Sequence, residues 1–569
     1  MEEVGTGLLD RLDAMQRVAA SAPGGPLLVV AGPGTGKTRT LTHRIAYLCA
    51  DLNVRPDECL AITFTRRAAE EMRTRLGALL GDRAEEVTVA TFHALGLLIL
   101  RENAAAAGLS PGFGVADETQ RADTLAAAGD SPEAYTKLLR EQNLVDLDEL
   151  VAAPVALLSR APRLAEEYRA RWRWVFVDEY QDVDATQYEL LRLLVPADGN
   201  ICAIGDPDQA IYSFRGADVG HFLRFTTDFR EGRVVRLTRN YRSTAPIVAA
   251  ASQAIAPTSL VRDRRLEPAR LDPEAAPLGL HSAATPSAEA EWVAAAIDGL
   301  VGGVSHRSFD AGRVDSRLGV HDGMSFGDIA VLYRTDAQAA PVLEALTRAG
   351  LPAQKRSHDR LADRRAVGAI ARELRFDGGL ADRPLVDRVR AAGRALASGR
   401  PRLFEADGAA PLMLPDAEVF SAVELLLPLA TRSGEDLEAF LQAVATGAEV
   451  DALDPRHDAV TLLTLHAAKG LEWPVVFLVG CEDGLLPLRF GGEVVDDQSV
   501  AEERRLFFVG MTRARRRLYL SHCERRNRRG GEYRPARTPF LDVVDAALLE
   551  RLGGNPAPER PRHRQLRLL

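Results

Sequence analysis

Short apolar runs alternate with helical spacing over the first hundred residues. Leu27–Ala31 is continuously apolar, the pattern of a strand buried on both faces. A glycine-rich turn follows, and a helix is predicted from Lys37 to about Ala50. Leu60–Thr63 reads as a second strand, after which Ala68, Ala69, Met72, Leu76 and Leu79 recur at helical spacing. Val87–Ala90 gives a third strand, and Phe92 opens another helical run. The alternation predicts a parallel α/β sheet. Residues 103–170 break it, being rich in Ala and Leu, with prolines at 111, 132, 154 and 162 and no clear strand. The strand pattern resumes at Trp174–Val177, Ile201–Ile204 and Val234–Leu237. A second α/β unit is predicted from about Gly279, with strands at Ile329–Tyr333, Val460–Leu463, Val475–Val479 and Leu518–Ser521. Residues 376–457 form another helical segment. Residues 302–325 read as a long exposed loop.

The length of 569 residues agrees with this plan, since roughly 100–200 residues per domain implies three to five units. Hydrophobic residues at 46% and charged residues at 27% exclude disorder over most of the chain. No apolar run approaches the roughly 18–20 residues of a membrane span. The start Met-Glu-Glu shows no signal-peptide pattern, and the five cysteines form no C-x-x-C pair. The expectation is a reduced, cytoplasmic protein with no disulfide frame, zinc knuckle or iron–sulfur cluster. The net charge of −9 is unevenly spread, because the stretch from Arg504 onward holds 17 Arg against 6 Asp or Glu. Such a basic end is either an electrostatic footprint for nucleic acid or a solvated tail. Of the 71 basic residues only Lys37, Lys137, Lys355 and Lys469 are lysine. A site that needs a compact point charge resists replacement by the planar guanidinium, so these four positions stand out.

Lys37 lies in Ala31-Gly-Pro-Gly-Thr-Gly-Lys-Thr38, after a predicted strand and at the start of a helix. This is the setting of a phosphate-binding loop. Glycines let backbone N–H groups turn toward phosphate oxygens, and the helix N-terminus adds partial positive charge. Lys37 would reach the β- and γ-phosphates of ATP, and Thr38 would hold Mg²⁺. Trp174–Val177 ends in Asp178-Glu179, which supplies what such a loop needs: Asp178 for Mg²⁺ and Glu179 to orient and deprotonate water. Asp182 and Asp184 read as cap and first-turn charge for the next helix. The stretch from Gly205 to Gly216 offers Gln209 to sense a γ-phosphate. It also carries Tyr212, Phe214 and Arg215, which suit stacking and phosphate contact with a nucleic-acid strand, or the filling of a turn's core.

Taken with Gln16, Ala61-Ile-Thr-Phe-Thr-Arg-Arg-Ala-Ala-Glu-Glu-Met72, Thr91-Phe-His93, Val177–Asp182, Asn240–Thr244, Thr464–Glu472 and Phe508–Ala514, the chain resembles a superfamily 1 DNA helicase of the UvrD/PcrA/Rep type. The strings occur in that family's order. The resemblance implies two RecA-like domains. The first spans 1–102 and 171–278, interrupted by a helical insertion at 103–170. The second spans 279–375 and 458–548, interrupted by a short insertion at 376–457, and a basic tail follows at 549–569. It implies that Gln16 reads adenine. Ala31, Gly32, Pro33, Gly34, Thr35, Gly36, Lys37, Thr38, Arg39 and Glu472 would line the nucleotide. Tyr241 would stack on the base, Arg242 would contact the γ-phosphate and Arg513 would act as arginine finger. Thr63, Phe64, His93, Tyr212, Phe214, Arg215, Thr464 and His466 would line single-stranded DNA. An arginine contributed by a second domain would let ATP pull two domains together and hydrolysis release them, the requirement for a motor.

The expected activity is an ATP-dependent 3′→5′ single-strand translocase and helicase, monomeric, using ATP and Mg²⁺, in DNA repair, replication or recombination. Its partners would be single strands, single–double-strand junctions, and repair or replication proteins. Phe214 stands where the family has tryptophan, and both insertions are shorter than the family's. An RNA-directed motor, or a remodelling and recruitment factor with little unwinding, fits the same residues. His306, Asp310, His321 and Asp322 read as solvated loop residues rather than metal ligands.

Overall fold

Two parallel sheets carry the computed structural model, which describes residues 7–553 apart from 117, 130, 271, 273–274, 303–323, 358–359, 376–382, 399–413, 448, 450–457, 490–495 and 529–530. The chain falls into two compact units. The first is built on β1 (Leu27–Ala31), β2 (Cys59–Thr63), β3 (Thr88–Thr91), β4 (Trp174–Val177), β5 (Asn200–Gly205) and β6 (Arg233–Leu237). Their order is β3-β2-β4-β5-β1-β6, and every pairing is parallel. Parallel strands need crossovers, which the intervening helices supply, and both faces are then covered. Alternate strand residues therefore enter two cores. Leu28, Leu60, Ile62, Val175 and Val177 join one, with Trp172 and Phe225. Leu27, Val29, Ala61, Phe176 and Ile204 join the other, with Leu41 and Ile45. This explains why these strands read as unbroken apolar runs.

The helices that feed the site are α1 (Ala14–Ala20), α2 (Lys37–Ala50), α3 (Arg66–Leu80) and α4 (Phe92–Glu102); the last three lie where the helical spacing places them, while α1 carries no predicted element. Thr65 and Thr91 cap α3 and α4 by accepting from Ala68 N and Ala94 N. Residues 103–170 are mainly helical, as expected, with two short strands at Gly114–Val115 and Leu144–Val145.

The second unit holds β7 (Leu278–Ala283), β8 (Ile329–Tyr333), β9 (Ala353–Lys355), β10 (Val460–Thr464), β11 (Trp473–Leu478), β12 (Ala514–Cys523) and β13 (Leu549–Leu552). They form one parallel sheet ordered β9-β10-β8-β11-β12-β7-β13. The short edge strands β9 and β13 escape a reading by apolar runs, because few of their residues are buried.

The two compact units interleave along the chain. Residues 242–259 belong to the second unit, 260–267 return to the first, and 268–355 lie again in the second. Residues 356–457 belong to the first unit, although the chain enters them from β9 and leaves them into β10. Their helices Arg365–Arg375, Leu385–Ala397, Asp416–Ser433 and Leu437–Thr446 share a core of their own, with Ile370, Val389, Leu426 and Phe440 inside it. Arg101 Nη2 bonds Glu438 Oε1 at 2.6 Å, and Arg66 donates to the carbonyl of Gln442, both within the first unit. Among the described residues no helix is long and apolar enough to cross a membrane.

Candidate nucleotide site and nucleic-acid interface

The loop between β1 and α2 turns through Gly34 and Gly36, whose φ values are +69° and +81°. Such left-handed conformations favour glycine. Gly32 and Gly36 are also approached closely: an added Cβ would lie 2.5 Å from Leu266 Cδ2 at the first and 2.7 Å from Gln16 Nε2 at the second, so either neighbouring side chain would have to move. Three side chains far apart in sequence hold this loop. Asn240 Nδ2 donates to Pro33 O at 2.7 Å, Gln16 Nε2 donates to Thr35 O at 2.9 Å, and Thr35 Oγ1 donates to Gly32 O at 2.8 Å. Tyr241 N donates to Gly34 O at 2.8 Å, and its hydroxyl donates to Asp13 Oδ2 at 2.6 Å. Asp13 in turn caps α1, in a capping box with Gln16. Gln16 and Tyr241, expected at the adenine, thus stand beside the loop and brace it. Arg39, on the exposed side of α2, donates to Arg11 O.

At the end of β4, Asp178 is 6% exposed, and Thr38 Oγ1 donates to its Oδ2 at 3.2 Å. Burial, and then the neighbouring Glu179 charge, push the Asp178 carboxyl up to about 7. A buried carboxylate beside a threonine hydroxyl is an oxygen donor set that suits Mg²⁺, whose charge would favour the ionised form. Glu179 follows in left-handed backbone at φ +49°, a conformation that costs a non-glycine residue about 1–3 kcal/mol and collects at functional sites. Its Oε2 lies 3.3 Å from Lys37 Nζ and accepts from Gln181 Nε2 at 2.6 Å. The other end of Gln181, its Oε1, accepts from Asp206 N at 2.9 Å. An alanine Cβ at Gly205 would sit 2.2 Å from that oxygen, so the glycine there makes room for Gln181. Gln209 is 2% exposed and donates to Asp206 Oδ2 at 2.7 Å. Asp184 caps the helix Ala185–Leu194 by accepting from Gln187 N, as expected, whereas Asp182 is buried beside Gln181.

The aromatic residues after Gln209 divide into two kinds. Phe214 is 64% exposed, and the Arg215 guanidinium lies 5.6 Å over its ring. Tyr212 is 2% exposed and stacks on Phe64 with centroids 5.2 Å apart, so it offers no free face and instead supports Phe214, 6.1 Å away. Of the two readings open for Tyr212, stacking on a nucleic-acid strand or filling the turn's core, its burial against Phe64 fits the second. Thr63 is buried and donates to Thr65 O. His93 is half-buried at the start of α4, and burial lowers its pKa.

In the second unit, Arg242 pairs with Glu472 and donates to Thr512 O at 3.1 Å. Arg513 is 2% exposed; it donates to Val509 O at 2.8 Å, Leu471 O at 3.2 Å and Thr512 Oγ1 at 3.1 Å. The expected finger is therefore folded into its own unit. Thr464 Oγ1 accepts from Ala467 N at 3.2 Å, and His466 follows it in the same turn. Glu289, Glu482 and Cys523 have ligand atoms spaced for a metal, but Arg526 bridges both carboxylates at 3.0 and 2.6 Å, making this a buried ion network.

Family models decide the relationship. The UvrD/REP helicase N-terminal domain matches residues 12–132 and 121–230, and the UvrD-like helicase C-terminal domain matches 235–375 and 421–525. The chain belongs to the UvrD-like helicases. It is 30% identical to the ATP-dependent DNA helicase PcrA of Bacillus subtilis, over 97% of this chain and 88% of that protein. It is 32% identical to the ATP-dependent DNA helicase UvrD1 of Mycobacterium bovis, over 97% of this chain and 87% of that one. The alignment with PcrA runs over 676 positions against the 569 residues here, so that relative carries segments with no counterpart in this helicase.

Two side chains near the glycine loop escape a motif reading. Gln181 lies inside a quoted string, yet nothing in the string says that it joins Glu179 to Asp206. Arg264 lies outside every string. His306, Asp310, His321 and Asp322 lie outside the described residues, as does the tail from 554 onward.

Proposed function

We propose that this helicase is an ATP-dependent 3′→5′ translocase on single-stranded DNA that unwinds duplexes from a 3′ tail. The observation that carries its ATP dependence is the grouping of Lys37, Thr38, Asp178 and Glu179, with Gln181 and Gln209 behind them, around the glycine loop; the 3′→5′ polarity and the single-strand substrate rest on the resemblance to the family. The loop and Lys37 bind the phosphates. Thr38 and Asp178 would hold Mg²⁺, which when bound offsets phosphate charge. Glu179 takes the proton from the attacking water and Gln209 senses the γ-phosphate, while the resemblance to the family would have Arg242 and Arg513 release their present partners to supply cationic charge to the transferring group. Glu472 and Arg39 adjoin the nucleotide. Phe64, Phe214 and Arg215, with Thr63, His93, Thr464 and His466, form the single-strand track, with Tyr212 as its support.

The helices of 103–170 and 365–446 correspond to the family's two inserted subdomains. The PcrA alignment needs more positions than this chain has residues, which supports shorter insertions here and, with them, a motor of low processivity. The enzyme acts as a cytoplasmic monomer in repair, replication or recombination. ATP turnover measured with single-stranded DNA and with RNA of the same sequence tests the substrate class: the reading requires strong stimulation by DNA. Equal or greater stimulation by RNA overturns it.

A further inference from the structure

Residues 260–267 form a strap of the first unit whose covalent neighbours on both sides belong to the second. No helix secures it. Leu260 N donates to Asp208 Oδ1 at 2.6 Å, Glu267 N donates to Thr238 O at 2.9 Å, and Leu266 lies against Gly32 of the phosphate loop. Its centre is Arg264, a side chain only 8% exposed. Arg264 Nη1 and Nη2 donate to the two oxygens of Asp206 at 2.8 and 2.6 Å, and Nη1 also reaches Asp208 Oδ2 at 2.6 Å. Both aspartates are 0% exposed. Nη2 lies 3.0 Å from where a Cβ on Gly32 would stand, so the guanidinium sits between the phosphate loop and the Gly205–Gln209 turn.

Asp206 is the junction of this wall. Its carboxylate holds Gln209 and its N–H holds Gln181, which holds Glu179. Burial alone would raise the Asp206 pKa, but the paired guanidinium holds it below the usual range, so the carboxylate stays an acceptor for Gln209. A buried carboxylate without its cation would reorient or take up a proton, and either change releases Gln209.

We propose that Arg264 is a positioning residue for ATP hydrolysis: by fixing Asp206 it sets Gln209 directly, and Glu179 through Gln181. This rests on the reading of Glu179 as the base. A fork that bonds both oxygens of one carboxylate and one oxygen of another cannot be reproduced by the single ammonium of lysine.

The test uses full-length Arg264→Lys and Arg264→Gln, with Glu179→Gln alongside. Turnover with saturating single-stranded DNA, affinity for a fluorescent ATP analogue, DNA affinity and thermal midpoint are read on each. Arg264→Gln is expected to lower kcat about 10- to 100-fold, the range for partners that orient a functional group, with ATP and DNA affinities within about threefold of the parent. Arg264→Lys keeps the charge and is expected to fold, and it should recover only part of kcat. If Arg264→Gln does not fold, the lysine variant alone decides, with kcat down and affinity kept. A strap that merely stabilises the fold would lower the melting midpoint and leave kcat per folded molecule intact. That result, or parallel losses of kcat and ATP affinity, overturns the proposal. Should Glu179→Gln retain full turnover, the parent reading fails; should it lose turnover while both Arg264 variants keep theirs, only this inference fails.

Discussion

Lys37 Nζ stands 3.3 Å from Glu179 Oε2, so the residue that reaches for phosphate is paired with the residue that would activate water. A γ-phosphate entering the loop competes with Glu179 for the same ammonium. Glu179→Gln removes the competing charge and the base together. It should bind ATP at least as tightly as the parent while ATPase falls by about 10²–10⁴. Nucleotide titration beside steady-state turnover checks this, and near-normal turnover would refute the assignment.

Asn240 is 1% exposed, and its amide donates to Pro33 O at 2.7 Å. Asn240→Ala leaves that carbonyl without its partner, at a cost of about 1–3 kcal/mol. The glycine loop should loosen, lowering both the thermal midpoint and ATP affinity. An unchanged affinity in a destabilised protein would show that the bond serves the fold alone.

Phe214 and Tyr212 should respond differently. Phe214→Ala removes an exposed stacking face and should weaken single-strand binding by about 1–3 kcal/mol with little change in melting. Tyr212→Ala opens a cavity against Phe64 and should destabilise the protein as well. Binding should also weaken with salt, as phosphate neutralisation requires. Fluorescence anisotropy with labelled oligonucleotide, at two salt concentrations, separates these effects; unaltered affinity in Phe64→Ala plus Phe214→Ala would remove the track.

Burial alone would raise the Glu472 carboxyl, but Arg242, then Arg515 and Arg513, outweigh it and hold it below the usual range. A lowered carboxylate pKa contributes stability above the unfolded value of about 4.3, and that contribution is lost as pH falls through the folded value. The pair is partly exposed, so salt should shrink the effect. Glu472→Gln should therefore differ from the parent in unfolding midpoint at neutral pH and converge with it in acid. A gap constant down to the acid limit would contradict the pairing.

Much of the fold was legible because buried parallel strands are unbroken apolar runs, as Leu27–Ala31 and Trp174–Val177 are. The edge strands Ala353–Lys355 and Leu549–Leu552 carry no such run and were not legible. The side chains at the phosphate loop were legible because glycines, a rare lysine and a strand-end Asp-Glu state their chemistry locally. Arg264 was not, because its contacts come from a return of the chain across 58 and 56 residues to Asp206 and Asp208, and one arginine among 67 carries no signal. Which of Phe64, Tyr212 and Phe214 faces water was not legible, because aromatic spacing does not reveal it. The grouping of 356–457 with the first unit is likewise a property of tertiary packing, since sequence order threads it through the second sheet.

A reduced second insertion should limit grip on duplex while sparing translocation. Unwinding yield in a single turnover, with a trap for released enzyme, should fall steeply as the duplex lengthens. Streptavidin displacement from single strands should stay efficient. A yield independent of duplex length would reject low processivity.

Strand displacement on 3′-tailed, 5′-tailed and blunt DNA, with ATP and with a non-hydrolysable analogue, tests the motor reading most directly. The expected result is ATP-dependent displacement from the 3′-tailed substrate, abolished by Glu179→Gln and by the analogue. Displacement from the 5′-tailed substrate instead, or displacement that survives without hydrolysis, would contradict it.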